Sequence, residues 1–489
     1  MTDVVEYPAI YGSRAELLDR LRECLVFARL TVESADPLHP VWKVDLGQVS
    51  GFEKMMMEAG LLAYIVGRTR YFEKETRDLV RAIRGKYDST SAVSCILRHP
   101  RLAASLGTLL LVLDHFGLAT AQEVAAVHGA FESRYVECSE HVPFRLLDRR
   151  WVRGLATGVA DPLIAALDLS TACRATHPIY MTREDGYAVT HAVMYATDFG
   201  VLPAPAALNK AALWDTIDAA IAWCTASGDL DLLAELLLSQ LYLRGRLSAY
   251  GLIAWRQCRE TWDSLGFLPS PSLSATSFQA LMEEHQRRQY AFHNIYHTML
   301  VGGLLCVALL DTRPTGSHGD GGEIDYAQPP SVERAIAGAA QHLEQVFGID
   351  RLAAQSAIAA VAWRADDVAL DEMVERWSHA DTPVEITRRM AVDAAIILAA
   401  QDYDLAQLAG ALRRAGASGT VTTTVEAGVD FLARQSLVTG AIGANWLNDI
   451  PADPASTALA SARVTAALAN CLVDLDERLS AGRVMADAG

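Results

Sequence analysis

Apolar side chains recur at intervals of three and four residues along most of the chain, the spacing that gathers them on one face of an α-helix. Helix starts are marked as well, because Ser13 with Glu16 and Thr120 with Glu123 have the spacing of capping boxes. Such signals predict about 18 to 22 helices and no convincing pair of strands. The pattern therefore predicts an all-α fold, a multi-helical array of the α/α-toroid or irregular α-solenoid type.

The composition changes at residues 311–330, where Gly, Pro and Asp replace the apolar periodicity. A stretch of this kind is typical of a linker or a long surface loop. We therefore predict one helical domain at residues 1–310 and a second, Ala-rich helical domain at residues 331–489.

Residues 177–200 contain a predicted helix, beginning at Arg183, whose two faces differ. One face is small and apolar, which is typical of a helix packed on other helices. The other face carries aromatic and ionisable side chains, namely Tyr187, His191, Met194, Tyr195 and Asp198. Such side chains either pack with a satisfied polar tip or line a cavity, and both interpretations stay open.

A second helix, predicted within residues 278–310, repeats this feature with Tyr290, His293, Tyr296 and His297. Two histidines four residues apart can chelate a transition metal, but Asn294 stands where metalloproteases place a glutamate, and no third ligand is evident. We therefore predict hydrogen-bonding histidines and no bound metal. We also expect His191 and His293 to lie within about 10 Å of each other, one substrate's width, across a buried small-molecule pocket.

These two helices supply nearly all candidate site residues. A histidine with a neighbouring carboxylate can act as a general base, so the candidate catalytic residues are His191, Asp198, Tyr187 and His293. Candidate substrate-binding residues are Arg183, Tyr195, Tyr296, His297 and, in a proline-bounded loop, Asp45. The alternative for Arg183 is that it and the two acids after it simply begin a helix.

Composition narrows the classes of function. The net charge of −17 and the pI of about 5.2 argue against nucleic-acid binding, which needs clustered Lys and Arg. Eight cysteines without CxxC spacing are typical of reduced thiols. The N-terminus has no signal-peptide pattern, and the longest uncharged apolar run is shorter than the roughly 20 residues of a membrane helix. We expect a soluble, cytoplasmic protein with no membrane partner.

The sequence also lacks the common nucleotide-binding motifs. The chain contains no GxGxxG after a strand, no P-loop and no GxSxG, so no nucleotide cofactor is expected. Asp366, Asp367, Asp371 and Glu372 resemble the aspartate-rich magnesium motif of class I terpene synthases. The second metal motif of those enzymes does not follow at a suitable distance. A terpene-type cyclase that uses Asp366 and Asp367 is therefore kept as an alternative function.

Two stretches resemble paired signatures of an uncharacterised, all-helical actinobacterial family found near natural-product gene clusters. They are Thr190-His191-x-x-x-Tyr195-x-Thr197-Asp198-Phe199-Gly200 and Tyr296-His297-Thr298-Met299-Leu300-Val301-Gly302. The chain also resembles the large subunit of the aziridine-forming enzymes of azinomycin-type pathways, which expel sulfate from a vicinal amino sulfate. This resemblance implies a helical fold and a small partner subunit, and it assigns no catalytic residue.

Together, the patterns and the resemblance favour a tailoring enzyme of bacterial secondary metabolism, of the lyase or cyclase type, that acts on a small polar substrate in a helical cavity. In its most concrete form, His191 or Asp198 removes a proton from an amine, which then displaces sulfate, and Arg183 or a histidine stabilises the departing anion. The alternative from another class is a non-catalytic helical scaffold that binds a partner protein or a small ligand.

Overall fold

Local sequence sets most helix boundaries in the computed structural model, which describes residues 9–43, 49–133, 135–136, 141–159, 164–174, 176–208, 210–311, 367–379, 382–418 and 422–439. Thr120 and Glu123 form the predicted capping box, with each side chain accepting the other residue's backbone N–H. Ser13 accepts the backbone N–H of Glu16. Because such caps satisfy N–H groups that the first helical turn leaves unpaired, they fix where a helix begins.

The described residues form an all-α, multi-helical array without strands, which confirms the predicted fold class. The first helices are α1 Arg14–Ser34, α2 Gly51–Gly67, α3 Glu73–Lys86, α4 Ser89–Arg98, α5 Ala103–His115, α6 Ala121–Glu132, α7 Pro143–Thr157, α8 Ile164–Leu167 and α9 Arg183–Ala196. They are followed by α10 Lys210–Ser227, α11 Leu230–Arg244, α12 Ala249–Leu265, α13 Ala275–Ala280 and α14 Glu284–Asp311. The last are α15 Asp367–Trp377, α16 Val384–Gln401, α17 Leu405–Ser418 and α18 Thr423–Thr439.

The chain divides into two compact units. One comprises Met1–Ala175, Arg183–Ile217 and Gly228–Gly316, and the other comprises Thr176–Thr182, Asp218–Ser227 and Ser317–Gly489. In the second unit, the short turn Pro178–Tyr180 packs against α16 and α18. The predicted linker lies outside the described residues from residue 312 onward, so its assignment stays a prediction.

The core of the first unit is built around α14, which packs along α1, α2 and α11. Helix α11 is buried over almost its whole length, as its nearly continuous apolar sequence predicts, and it also packs on α9. Among the described residues, α14 alone is long and apolar enough to cross a membrane, and 83% of its most apolar window is buried within the protein. A core helix passes the same test of length and composition.

In the second unit, α16 is the central helix and packs against α15, α17 and α18. Its side chains Met390, Ile396 and Ile397 are fully buried. The described part of the predicted Ala-rich region is therefore helical. The polar cluster described next lies entirely within the first unit.

Candidate functional site

Four helices of the first unit each carry two polar side chains one turn apart, a spacing that places both on the same helix face. Helices α2 and α14 pack together, and α11 packs on both α9 and α14. This arrangement brings ionisable groups from all four helices into one connected set of contacts. The four pairs are Lys54 and Glu58, Tyr187 and His191, Asp231 and Glu235, and His293 and His297.

Glu235 is at the centre of these contacts, with a side chain that is only 2% exposed. Its Oε2 lies 3.5 Å from Nε2 of His191, and its Oε1 lies 3.4 Å from Nε2 of His297. The hydroxyl of Thr190 also donates to Oε2. Burial alone would raise the pKa of Glu235, but the two imidazoles hold it below its usual value. The carboxylate therefore joins two histidines that lie more than a hundred residues apart in the chain.

His297 faces carboxylates with both of its ring nitrogens. Nδ1 lies 3.0 Å from Oε2 of Glu58, whereas Nε2 faces Glu235 and also lies 3.8 Å from Oδ1 of Asp231. A neutral imidazole carries a single N–H, so only the imidazolium can donate on both sides. Burial opposes this charge, but Asp231 and Glu58 raise the pKa of His297 well above its usual value. His297 is therefore an imidazolium near neutral pH.

Glu58 has the complementary environment. Burial would raise its pKa, but the charges of His297 and Lys54 lower it to about 2. The Nζ of Lys54 lies 3.5 Å from Oε1 of Glu58, and this carboxylate raises the pKa of Lys54. Lys54, Glu58, His297 and Glu235 thus form a row of contacts in which cations and carboxylates alternate. Glu58, His191, Asp231, Glu235 and His297 are hereafter called the imidazole–carboxylate cluster.

Asp231 anchors the other side of the cluster. It accepts hydrogen bonds from the hydroxyls of Thr298, at 2.8 Å, and Tyr187, at 2.6 Å. Nη2 of Arg183 lies 3.4 Å from the same carboxylate, while its Nε and Nη2 donate to both oxygens of Asp229. The guanidinium predicted to bind a substrate anion is therefore engaged in a bidentate pair with Asp229.

His191 differs from His297 in its surroundings. Three aromatic rings surround its imidazole, those of Phe144, Tyr187 and Tyr195, with centroid separations of 5.5, 6.0 and 6.2 Å. Tyr195 in turn hydrogen-bonds Asp148, and burial raises the pKa of that carboxyl. The side chain of His191 is 29% exposed, and no described residue pairs with its Nδ1. Glu235 therefore contacts Nε2 of His191, whereas Nδ1 has no hydrogen-bond partner in the described part of the chain.

Asp198 was predicted on the same helical stripe as His191, and this prediction is wrong. Helix α9 ends at Ala196, and Asp198 and Phe199 adopt left-handed backbone conformations with φ of 46° and 54°. The chain thus leaves the helix before Asp198. Its carboxylate accepts two bonds of 3.2 Å from Arg68 and one of 2.8 Å from Nε1 of Trp151. Asp198 therefore holds the turn after α9 against Arg68 and Trp151. The carboxylate that His191 contacts is that of Glu235.

Aromatic packing surrounds His293 and Tyr296. Both rings lie against Trp42, with centroid separations of 5.2 and 5.7 Å, and Nε1 of Trp42 donates to Gln289. Burial, and then the charge of Lys54, lowers the pKa of His293. Tyr296 hydrogen-bonds Glu58. The histidine of α14 that shares a carboxylate with His191 is thus His297, and the expected approach of His191 to His293 stays a prediction.

Residues 30–307 match the family model described as "Domain of unknown function (DUF6895)". The chain belongs to the DUF6895 family. No curated protein and no solved structure matches the chain. The match contains α2, α9, α11 and all but the last four residues of α14, so the whole imidazole–carboxylate cluster lies within the DUF6895 region. Helices α15 to α18 lie beyond it.

Four residues of this DUF6895 site were missed from the sequence, namely Lys54, Glu58, Asp231 and Glu235. A signal was present in α11, where Asp231 and Glu235 lie one turn apart on a helix that is apolar all round. Two acids on a helix without a solvent face need cationic partners from other helices. Asp45 and Asp366 lie outside the described residues of the DUF6895 chain, as does the side chain of Asp367.

The same DUF6895 cluster contains two histidines and three carboxylates, which are side chains that bind metal ions in many proteins. In the part of the chain that the structure describes, no group of three or more His, Cys, Asp or Glu residues is arranged to hold a metal ion. The cluster residues instead satisfy one another by hydrogen bonds and ion pairs. This chemistry is suited to proton transfer and charge stabilisation.

Proposed function

We propose that this DUF6895 protein is an enzyme in which His191 transfers a proton to or from a small polar substrate. The observation that carries this proposal is the pair formed by buried Glu235 and partly exposed His191, whose Nδ1 has no partner among the described residues. A buried carboxylate that holds one imidazole nitrogen fixes the ring's tautomer and orientation and leaves the other nitrogen to the substrate. His191 is the general base or acid, and Glu235 orients it.

The surroundings of His191 support this role. The rings of Phe144, Tyr187 and Tyr195 pack near the imidazole and limit its rotation before a substrate binds. Thr190 donates to the same oxygen of Glu235 that faces His191 and so fixes the carboxylate as well. A general base within reach of the substrate contributes about 10²- to 10⁴-fold to the rate of an enzyme reaction.

The resemblance to aziridine-forming enzymes supplies one specific reaction of this type. His191 takes a proton from the substrate amine, the amine nitrogen forms a bond to the neighbouring carbon, and the C–O bond to sulfate breaks. The electron pair of that bond leaves with the sulfate, so no oxidant, reductant or nucleotide is needed. We propose a tailoring step of bacterial secondary metabolism on this basis, with a small molecule as the substrate.

The test compares purified wild-type protein with the His191→Gln variant. Each is incubated with a small-molecule extract of the source organism, and the metabolites are followed by liquid chromatography and mass spectrometry. We expect the wild type to consume a metabolite and His191→Gln to consume it about 10²- to 10⁴-fold more slowly, because glutamine fills the space but cannot exchange the proton.

His285→Gln is the matched control. His285 lies on α14, its side chain is 59% exposed, and its one described carboxylate neighbour is Asp36 at 3.7 Å, so it should behave as the wild type. Equal turnover by His191→Gln would refute the proposed base. If the wild type and His191→Gln both bind a metabolite equally and neither converts it, the result would instead support the non-catalytic scaffold.

A further inference from the structure

A chain of charges of alternating sign leads through the cluster to His191. The ammonium of Lys54 lies 3.5 Å from Glu58, and Glu58 lies 3.0 Å from His297. His297 lies 3.4 Å from Glu235, and Glu235 lies 3.5 Å from His191. Each carboxylate thus has a positive neighbour on the side away from His191. The contacts come from α2, α14, α11 and α9 in turn, so no single helix determines them.

We infer that Glu58 and His297 form a positioning pair, in which the His297 imidazolium, held by Glu58, fixes Glu235 as the ionised carboxylate that orients His191. This inference rests on the proposed function, since it explains how the Glu235–His191 pair is held. His297 itself does not touch the substrate, because both of its ring N–H groups are already directed at carboxylates. It acts through Glu235.

The geometry requires both partners of the pair. If His297 lost a proton, one carboxylate would face a nitrogen lone pair at 3.0 or 3.4 Å, and that contact would become repulsive. Glu235 would also lose the positive charge on its Oε1 side and would rotate toward its remaining donors. Because Glu235 is almost fully buried, water cannot replace this lost partner at little cost.

Titratable and charged groups on α2, α9, α11 and α14 together determine the charge state of His297. Helix α2 presents Glu58 and Lys54, and α11 presents Asp231 and Glu235. Helix α9 acts indirectly, because His191 contacts Glu235, and Tyr187 and Arg183 contact Asp231. On α14 itself, His293 and Tyr296 are the titratable neighbours. The three carboxylates outnumber the nearby cations, which favours the imidazolium.

The experiment follows the imidazole resonances of protein labelled with isotopes at histidine, by NMR as a function of pH, with the His297 signal assigned from its loss in His297→Gln. In the wild type, we expect the His297 resonance to keep its imidazolium position through neutral pH. In Glu58→Gln, we expect the midpoint of its titration to move down by about 1 to 3 pH units, because one adjacent negative charge is removed.

Two further variants make this result specific. Glu58→Asp keeps the charge and should restore most of the shift, which a merely structural role of Glu58 would not predict. Asp231→Asn removes the second carboxylate near Nε2 and should lower the midpoint in the same direction, so the inference can be tested even if Glu58→Gln folds poorly. Glu33→Gln is the control, because Glu33 also pairs with a cation four residues away but on the exposed face of α1.

Turnover supplies the second readout. In Glu58→Gln, activity should be lost with rising pH earlier than in the wild type, since a neutral His297 no longer holds Glu235. The positioning pair would be overturned if His297 of the wild type titrated at the ordinary pKa of histidine, or if Glu58→Gln left the midpoint of its titration unchanged. Full turnover by His191→Gln would instead overturn the proposed function while leaving the NMR result as it stands.

Discussion

At the scale of single residues, chemical type does not determine the state of a histidine. His191 and His297 share the carboxylate of Glu235, yet a second carboxylate, from Glu58, faces only His297. Because this neighbour requires a second N–H, His297 carries a charge, whereas His191 keeps a nitrogen without a described partner. Two identical side chains thus acquire different roles, one in holding the site and one in transferring a proton.

Removal of one supporting hydrogen bond gives a prediction at this scale. Thr298 is fully buried and donates to Asp231, so Thr298→Val leaves a buried carboxylate with one donor fewer. We expect a loss of about 1.5 to 3 kcal/mol in the free energy of unfolding, the usual cost for a hydrogen bond to a charged group. Urea unfolding followed by circular dichroism measures it.

Thr108→Val is the matched control for this change. The hydroxyl of Thr108 is also buried, but it donates only to the Ala104 carbonyl of its own helix. That variant should lose under about 1 kcal/mol, because no charged group is left with a missing donor. Equal losses in the two variants would mean that Asp231 does not depend on Thr298.

At the scale of helices, the site depends on how closely α9 and α11 approach, because these two carry His191 and Glu235. The approach is made possible by Gly186 on α9, which lies directly against Leu232 of α11. The end of α9 is also fixed by sterics. Gly200 has a φ of +85°, and a Cβ there would lie 2.5 Å from the ring of Tyr242. Two glycines therefore set the position of the helix that carries the proposed base.

A methyl group at Gly186 should push these helices apart. A Cβ at this position would lie 2.7 Å from Cδ2 of Leu232, whose side chain is fully buried and has little room to move. We expect Gly186→Ala to lower the free energy of unfolding by about 1 to 3 kcal/mol, the usual cost of overpacking. Thermal unfolding measures the loss.

Gly129→Ala tests whether this result comes from the helix contact. Gly129 lies within α6, and no atom lies within 4 Å of a Cβ placed there. The substitution should raise stability by about 0.5 to 1 kcal/mol, because alanine favours the helix more than glycine does. A stabilising effect at both positions would contradict the close approach of α9 and α11.

At the scale of the whole molecule, the two compact units should respond differently to acid. In the first unit, the lowered pKa values of Glu58 and Glu235 mean that their stabilisation is present above the ordinary carboxyl pKa and is lost as the pH falls toward 2. In the second unit, burial lowers the pKa of His177 to about 4. Its neutral ring accepts the backbone N–H of Ile179 and pairs with Thr424.

His177 therefore predicts an acid-sensitive second unit. The unfolded chain binds a proton at His177 below its ordinary pKa of about 6.5, whereas the folded chain does so only near a pKa of about 4. The free energy of unfolding should therefore fall by about 2.5 kcal/mol as the pH drops from 6.5 to 4. His177→Gln should flatten the melting temperature over this window, and His285→Gln should not. An unchanged pH dependence in His177→Gln would exclude His177 as its source.

Local sequence was enough to predict where the helices lie and which residues share a helix face. Tyr187 with His191, and His293 with His297, lie on common faces because helix geometry is local and repeats every 3.6 residues. Capping residues likewise marked the starts of α1 and α6.

Which helix faces pack against one another depends on the tertiary structure. Glu58 and Glu235 lie on α2 and α11, and nothing in the sequence of either helix indicates that these carboxylates contact His297 or His191. Asp198 does not share the face of His191, because the backbone turns after Ala196. The physical reason is that α2, α9, α11 and α14 take the relative positions that bury all their apolar faces together. This packing energy depends on every contact in the first unit and not on one helix. Helix periodicity places side chains on a face, but packing selects the charge that lies opposite.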